Sequence, residues 1–208
     1  MQTPIIMIKE ACIESFSAAL SAQLAGADRV ELCENLAVGG TTPSYGTIKA
    51  CVEKLRIPAF VMIRPRGGDF CYSAQEIAIM ETDIVVCKQL GVPAVVLGLL
   101  TPDGQIDEAH TARLITLARP MQVTFHKAFD ELPDPSEGLE TLIRLGVDRI
   151  LTSGAKPTAR EGAPLLNQLT EQANGRIILV AAGRVTAENL PELSRLIRAC
   201  EFHGKKIV

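Results

Sequence analysis

The fold is decided by the stretch Ala25-Gly26-Ala27-Asp28-Arg29-Val30-Glu31-Leu32. Its glycine is typical of the end of a helix, and the apolar residues that follow are typical of a buried strand. Residues 145–151, Leu-Gly-Val-Asp-Arg-Ile-Leu, repeat this frame, and so do residues 90–97, Leu-Gly-Val-Pro-Ala-Val-Val-Leu. A repeated unit of helix, glycine and apolar strand predicts a parallel sheet covered by helices.

Short β-rich runs alternate with longer amphipathic runs along the rest of the chain. The predicted strands are 5–9, 29–32, 59–63, 94–97, 122–125, 149–151, 177–181 and 199–202. The predicted helices are 15–25, 45–55, 74–90, 108–117, 136–145, 160–173 and 187–197. Eight strands favour an α/β fold of the TIM-type (β/α)8 barrel class, a single domain over residues 1–208, and a doubly wound open sheet is the alternative.

The predicted pattern lacks a final helix, because the sequence stops shortly after the eighth strand. An uncovered strand would leave apolar side chains in water, at about 1.5–3 kcal/mol for each large one. We therefore expect another subunit, or the residual tail, to cover the seam between the last strand and the first.

Composition narrows the class of protein. The chain has 208 residues, a net charge of -3 and six cysteines that are widely spaced. No run rich in Lys and Arg is present, so we expect no nucleic-acid partner. The sequence shows neither a signal peptide nor a run of transmembrane length, so we expect a cytoplasmic protein with no membrane partner. The cysteines lack metal-knuckle spacing, so we expect reduced thiols and a metal site only where the fold assembles one.

Polar residues stand where the predicted strands end, and barrels of this class carry their active sites at that face. Glu10 and Glu31 are candidate paired carboxylates for acid–base catalysis, or counter-ions for Arg64 and Arg66. His126 and His203 are candidate general acids or bases, and Ser153 is a further catalytic candidate. The structural alternative is a set of ion pairs that only stabilises the barrel mouth.

Residues 62–70, Met-Ile-Arg-Pro-Arg-Gly-Gly-Asp-Phe, place Arg64, Arg66 and Asp69 at the exit of the third strand. Guanidinium groups pair with carboxylate or phosphate, and neighbouring glycines let backbone N–H groups approach an anion. Gly183 and His203 follow strands seven and eight, where barrels frequently bind phosphate. These five residues are predicted to bind an anion.

Cys12 and Cys33 stand at the ends of the adjacent strands one and two. Neighbouring strands run about 4.8 Å apart, so the two sulfurs can reach one ion, and thiolates select Cu(I) over harder cations. The alternative is that both cysteines are small apolar filler.

Five stretches of the sequence resemble the CutC copper homeostasis family: residues 27–33, 39–44, 62–70, 124–130 and 151–154. The resemblance implies a cytosolic TIM-type barrel, commonly a homodimer, linked by name to copper tolerance and in some members to Cu(I) binding. It implies Cys12 and Cys33 as the suspected ligands. The family usually has a glycine at the position of Arg184, and a Ser-Ala pair where this chain has Gly204 and Lys205.

Three functions remain open at this point. The first is a copper homeostasis protein that binds Cu(I) through Cys12 and Cys33, with no organic cofactor. The second is a lyase, isomerase or hydrolase that acts on a small anionic or phosphorylated metabolite; fold alone does not identify its reaction. The third is an inactive barrel that serves as an interaction scaffold.

Overall fold

A computed structural model describes residues 7–208, and its centre is a closed barrel of eight parallel strands. The strands are β1 (Ile8–Ile13), β2 (Arg29–Leu32), β3 (Ala59–Met62), β4 (Ala94–Leu97), β5 (Gln122–Phe125), β6 (Arg149–Thr152), β7 (Ile178–Ala181) and β8 (Glu201–Gly204). Each strand pairs with the next along the chain, and β8 closes the ring against β1. The TIM-type barrel is confirmed, and the open sheet is wrong.

Seven α-helices follow the first seven strands within the described residues. They are α1 (Phe16–Leu24), α2 (Tyr45–Lys54), α3 (Ala74–Gln89), α4 (Glu108–Ala118), α5 (Pro135–Leu145), α6 (Ala159–Ala173) and α7 (Leu190–Leu196). Single 3-10 turns lie at Leu36–Val38 and Lys127–Glu131. None of the described helices has both the length and the apolar character needed to cross a bilayer.

Three elements differ most from the predicted bounds: β1, β8 and α7. Strand β8 spans Glu201–Gly204 instead of residues 199–202. Strand β1 spans Ile8–Ile13 instead of residues 5–9, of which residues 5 and 6 lie outside the described part. The apolar run stops at Lys9, but the strand continues because the barrel interior accepts Glu10 as the partner of Arg29. Helix α7 begins later than predicted, because residues 186–189 form a turn in which the Asn189 side chain accepts from the Thr186 N–H.

The core has two parts because side chains alternate in direction along a strand. One set faces outward and packs with the helices in a single large apolar cluster. The other set faces into the barrel, where the apolar members form two smaller clusters: Cys12, Cys33, Phe60, Met62, Ala94 and Val96 in one, and Leu151, Val180 and Ala182 in the other. The barrel interior therefore contains both charged side chains and two small groups of apolar ones.

The seam between β8 and β1 is covered within the described chain. Ala11 of β1 is 3% exposed and Phe202 of β8 is 1% exposed, although no helix follows β8. Ile207 is 1% exposed and belongs to the same apolar cluster as these residues. This burial agrees with cover by the tail, and cover by another subunit stays a prediction.

Candidate metal centre

Strands β8, β1 and β2 bring the candidate ligands together. In the strand register, Glu10 lies between Arg29 of β2 and His203 of β8, and Cys12 lies beside Glu31. All five residues alternate with outward-facing apolar ones, so their side chains point into the barrel. The site is therefore built inside the upper barrel and not on the loops above it.

The two thiols predicted as metal ligands converge on one carboxyl group. Cys12, Glu31 and Cys33 each contribute an atom to a group in which all atoms lie within 4.8 Å of one another. The Cys33 thiol donates to Glu31 Oε2 at 3.5 Å. All three residues are buried, with Cys12 7% exposed and Cys33 fully enclosed. The arrangement gives a single ion access to two sulfurs and one oxygen.

His203 joins this group through its position at the end of β8. Its Nδ1 lies 2.7 Å from Glu10 Oε1, and its Nε2 lies 3.7 Å from Glu31 Oε2. Glu10, Glu31 and His203 form a second group whose atoms lie within 4.8 Å of one another. A carboxylate on one ring nitrogen fixes the orientation of an imidazole, so Glu10 turns the other nitrogen of His203 toward Glu31.

The thiols differ strongly in acidity. The hydrogen bond from Cys33 lowers the pKa of Cys12 well below its usual value, and His203 adds to this against the effect of burial. The hydrogen bond with Cys12 and burial raise the pKa of Cys33 well above its usual value. Burial acts to lower the pKa of His203, but the neighbouring carboxyl groups and Cys12 raise it well above the usual value. These shifts favour a thiolate at Cys12 beside a protonated His203, and the thiolate is the form of cysteine that binds metals.

The two carboxyl groups predicted as a pair also differ. Burial raises the pKa of Glu31 to about 8. Burial acts in the same direction on Glu10, but the hydrogen bond from His203 and the charge of Arg29 lower its pKa to about 2. The two carboxyl groups therefore differ in acidity, and Glu10 is the one that the surroundings favour in its ionised form. The buried Glu31 Oε1 has no hydrogen-bond partner among the described residues, so this carboxyl group has a free position.

Buried ion pairs lie in the barrel beneath the site, toward the starts of the strands. Arg29 contacts both Glu10 and Glu201, and the Arg149 Nε donates to Glu201 at 3.2 Å. Both guanidinium groups stack over the ring of Phe60, with centroid distances of 4.7 and 5.2 Å. Glu10 thus has Arg29 as its counter-ion, not Arg64 or Arg66 as the sequence allowed.

A cavity of about 220 Å³ opens above the two thiols, and we call it the thiol chamber. It is lined by Cys12, Glu31, Arg64, His126 and His203 among others, with Met62, Phe70 and Leu151 supplying apolar wall. Five of the residues predicted from the sequence therefore meet around one space. Glu10 lies beneath it and acts through His203.

His126 lines the chamber, and its surroundings favour the neutral imidazole. Its Nδ1 accepts from the Ala128 N–H at 3.1 Å, and its buried Nε2 has no partner among the described residues. Burial and the charge of Arg64 lower the pKa of His126 to about 3. A Cβ on Gly98 would lie 2.4 Å from this ring, so glycine is needed there for the ring to fit.

The arginines predicted to bind an anion have partners within the chain. Arg64 Nη1 donates to the carbonyls of Val38 and Gly40, each at 2.9 Å, and Nη2 donates to Gly68 at 2.7 Å. These bonds tie the loop after β2 to the loop after β3.

Arg66 lies away from the thiol chamber. It pairs with Asp69 at 2.9 Å and with Glu76 at 2.5 Å, and it donates to the carbonyl of Cys71. Arg66 and Asp69 line neither the thiol chamber nor the neighbouring cavity beside β7 and β8. Their contacts fix the loop between β3 and α3.

Ser153 lies beyond β6 in a separate polar cluster. Its hydroxyl donates to Asp130 Oδ2 at 2.8 Å, and the Lys127 ammonium donates to the same hydroxyl at 2.8 Å. Ser153 does not line the thiol chamber. Gly183 lines the cavity next to that chamber, together with His203.

Sequence reasoning missed the residues that act beneath and beside the site. Arg29, Arg149 and Glu201 are charged residues at strand starts, whereas the predicted site residues stand at strand ends or in the loops beyond them. The spacing of Arg29 and Glu31, two residues apart on one strand, was an available signal that both side chains face inward. Lys127 also lines the chamber.

Fold and site together define a TIM-type barrel protein with a buried centre of two thiols, a carboxyl group and a histidine. Comparison with known proteins agrees: the CutC family model matches residues 7–208. The human copper homeostasis protein cutC homolog is 47% identical over 196 residues, which are 94% of this chain and 72% of that protein. The chain therefore belongs to the CutC family.

Solved structures give the same result. The putative copper homeostasis protein CutC from Streptococcus agalactiae is 39% identical, with a TM-score of 0.93, and the match covers 98% of this chain and 100% of that one. Deoxyribose phosphate aldolase from Aeropyrum pernix is 12% identical with a TM-score of 0.71, covering 98% of this chain and 87% of that one. The second likeness concerns the fold alone.

Proposed function

We propose that this CutC family member binds Cu(I) in the cytosol, with Cys12 and Cys33 as its thiolate ligands. The observation that carries the proposal is the meeting of two sulfurs and the Glu31 carboxyl group within 4.8 Å inside the barrel. Soft thiolates favour Cu(I), whereas hard cations favour oxygen ligands. The donor set therefore fits copper in its reduced state.

The surroundings suit a soft ion of low charge. Phe60, Met62 and Val96 pack with the two cysteines in one apolar cluster. Cys12 supplies a thiolate, and Cys33 loses its thiol proton when it becomes a ligand. Cu(I) with two thiolates carries one net negative charge, which the imidazolium of His203 offsets, and Glu10 is paired with Arg29. The loaded centre therefore avoids a large uncompensated charge.

The position of the site suits exchange of the ion. Cys12 lines the thiol chamber, whereas Cys33 is enclosed behind it. An incoming ion meets Cys12 first because Cys12 lines the chamber. Of the two thiols Cys12 has the lowered pKa, which favours the thiolate that binds the ion. The name shared by the relatives, copper homeostasis protein, supports the same role.

An anaerobic titration with Cu(I) against a chromogenic Cu(I) chelator tests the proposal. Wild-type protein is expected to retain one equivalent of Cu(I) under competition, and Cys12→Ser/Cys33→Ser protein is expected to lose it. Cys71→Ser/Cys200→Ser protein is the matched control, because both of these thiols are partly exposed and lie outside the chamber lining. An unchanged stoichiometry in the Cys12/Cys33 variant would refute the proposal.

A further inference from the structure

A second cavity of about 400 Å³ lies beside the thiol chamber, at the carboxyl ends of β7 and β8. Four Lys and Arg residues line it beside His203, namely Lys127, Arg184, Lys205 and Lys206, and none of its lining residues is Asp or Glu. We call it the cationic chamber. Its local charge is opposite in sign to the net charge of the chain, -3.

Most of these cations have no counter-ion. Arg184, Lys205 and Lys206 form no ion pair with any residue of the described part 7–208. Lys127 lies 3.1 Å from Asp130 and also contacts Ser153, so one of the four is partly neutralised. Like charges around a concave surface repel one another and concentrate anions there. The chamber is thus electrostatically complementary to an anion.

Backbone donors add to the side-chain charges. The N–H groups of Gly183, Arg184 and Val185 have no hydrogen-bond acceptor within the described chain. Gly183 and Arg184 both have positive φ, 105° and 55°, which places successive N–H groups on a curved segment of backbone. Consecutive N–H groups on such a curve form a concavity that binds anions.

The two chambers adjoin each other. Lys127, His203 and Lys205 line both of them. Together they reach the volume of about 300–1,000 Å³ that is usual for small-molecule sites. One ligand can therefore place an anionic group among the cations and an uncharged part against His203 and Cys12.

We propose that the cationic chamber binds the phosphate group of a small phosphorylated metabolite whose carbon skeleton extends into the thiol chamber. A phosphate monoester offers a dianion with three acceptor oxygens, which suits several cations and N–H groups better than a carboxylate does. The inference does not depend on copper binding. It is tested on metal-free protein, so either proposal can fail alone.

Calorimetric titration of metal-free protein with ribitol 5-phosphate, ribitol and inorganic phosphate tests the anion site. Arg184→Ala/Lys205→Ala protein removes two of the four cations. Lys54→Ala/Arg195→Ala protein is the charge-matched control, since both residues lie in the last turns of their helices, α2 and α7, away from both chambers.

Wild type and the control variant are expected to bind ribitol 5-phosphate equally. The Arg184/Lys205 variant is expected to bind at least tenfold more weakly, and ribitol is expected not to bind. Equal affinity in all three proteins, equal binding of ribitol, or no binding of either phosphate compound at millimolar concentration would overturn the proposal.

Alkylation of Cys12, followed by peptide mass spectrometry, tests whether the ligand spans both chambers. Ribitol 5-phosphate is expected to slow the alkylation of Cys12, and inorganic phosphate is expected to leave it unchanged, with Cys200 as the internal reference. Protection by neither compound, or equal protection by both, would overturn the extension into the thiol chamber.

Discussion

Replacing Glu201 by alanine tests whether the ion pairs under the site hold the barrel together. Glu201 is 5% exposed and contacts both Arg29 and Arg149. After the change, Arg29 keeps Glu10, but Arg149 keeps only the Gln122 side chain, 2.6 Å away. A buried guanidinium then lacks a counter-ion.

The size of the effect follows from burial. Removing one partner of a buried ion pair costs about 3–5 kcal/mol, because the remaining charge stays desolvated. Domains of this kind unfold with a free energy of about 5–15 kcal/mol, so Glu201→Ala is expected to remove a large fraction of the stability. Glu171→Ala is the control, because Glu171 pairs with Arg198 at 3.5 Å with side chains 77% and 69% exposed. Exposed pairs contribute about 0–1 kcal/mol.

Urea unfolding followed by far-UV circular dichroism measures both variants, since the chain has no tryptophan for fluorescence. Glu201→Ala is expected to lower the free energy of unfolding by about 3–5 kcal/mol, and Glu171→Ala by less than about 1 kcal/mol. Equal losses in the two variants would refute the view that the buried pairs stabilise the barrel.

Two further predictions concern the walls of the thiol chamber. The pKa of His126 is lowered from 6.5 to about 3, so below pH 6.5 the unfolded chain takes up a proton that the folded one does not, and stability falls as the pH falls. Between pH 6 and pH 5 the free energy of unfolding should fall by about 1 kcal/mol more in wild type than in His126→Asn protein. The Asn side chain can still accept from the Ala128 N–H. Equal falls in the two proteins, measured by urea unfolding, would contradict this. Arg64→Lys is expected to cost about 1–3 kcal/mol, because one ammonium cannot reproduce the guanidinium fork. It is also expected to speed amide hydrogen exchange at Gly40 and Thr42, whose N–H groups donate to the carbonyls of Asn35 and Arg64 in the loops that the fork ties together; exchange as slow as in Arg195→Lys protein would show that the fork is dispensable.

Much of the fold follows from local sequence. The helix–glycine–strand units around Gly26, Gly91 and Gly146 all have positive φ at the glycine, as the repeat requires. The prediction failed where tertiary contacts override local pattern. Glu10 and Cys12 belong to β1 because that strand pairs with β2 and β8 along this stretch. A rule that ends a strand at a charged residue places both of them outside it.

The sequence predicts those parts of the site in which the residue type alone indicates the chemistry. Cys12 and Cys33 stood out because two thiols on adjacent strands can share an ion. The partners of Arg64 were not predictable, because they are carbonyls of loops whose path depends on the whole barrel. Arg29 and Glu201 escaped notice because the barrel closes between β8 and β1, which joins residues far apart in the sequence.

X-ray absorption at the copper K edge, on protein loaded with one equivalent of Cu(I), tests the central claim most directly. Two sulfur ligands are expected in wild type and in Cys71→Ser/Cys200→Ser protein. In Cys12→Ser/Cys33→Ser protein those sulfur ligands should be absent. A wild-type spectrum with only nitrogen and oxygen ligands, or unchanged sulfur ligation in the Cys12/Cys33 variant, would contradict it.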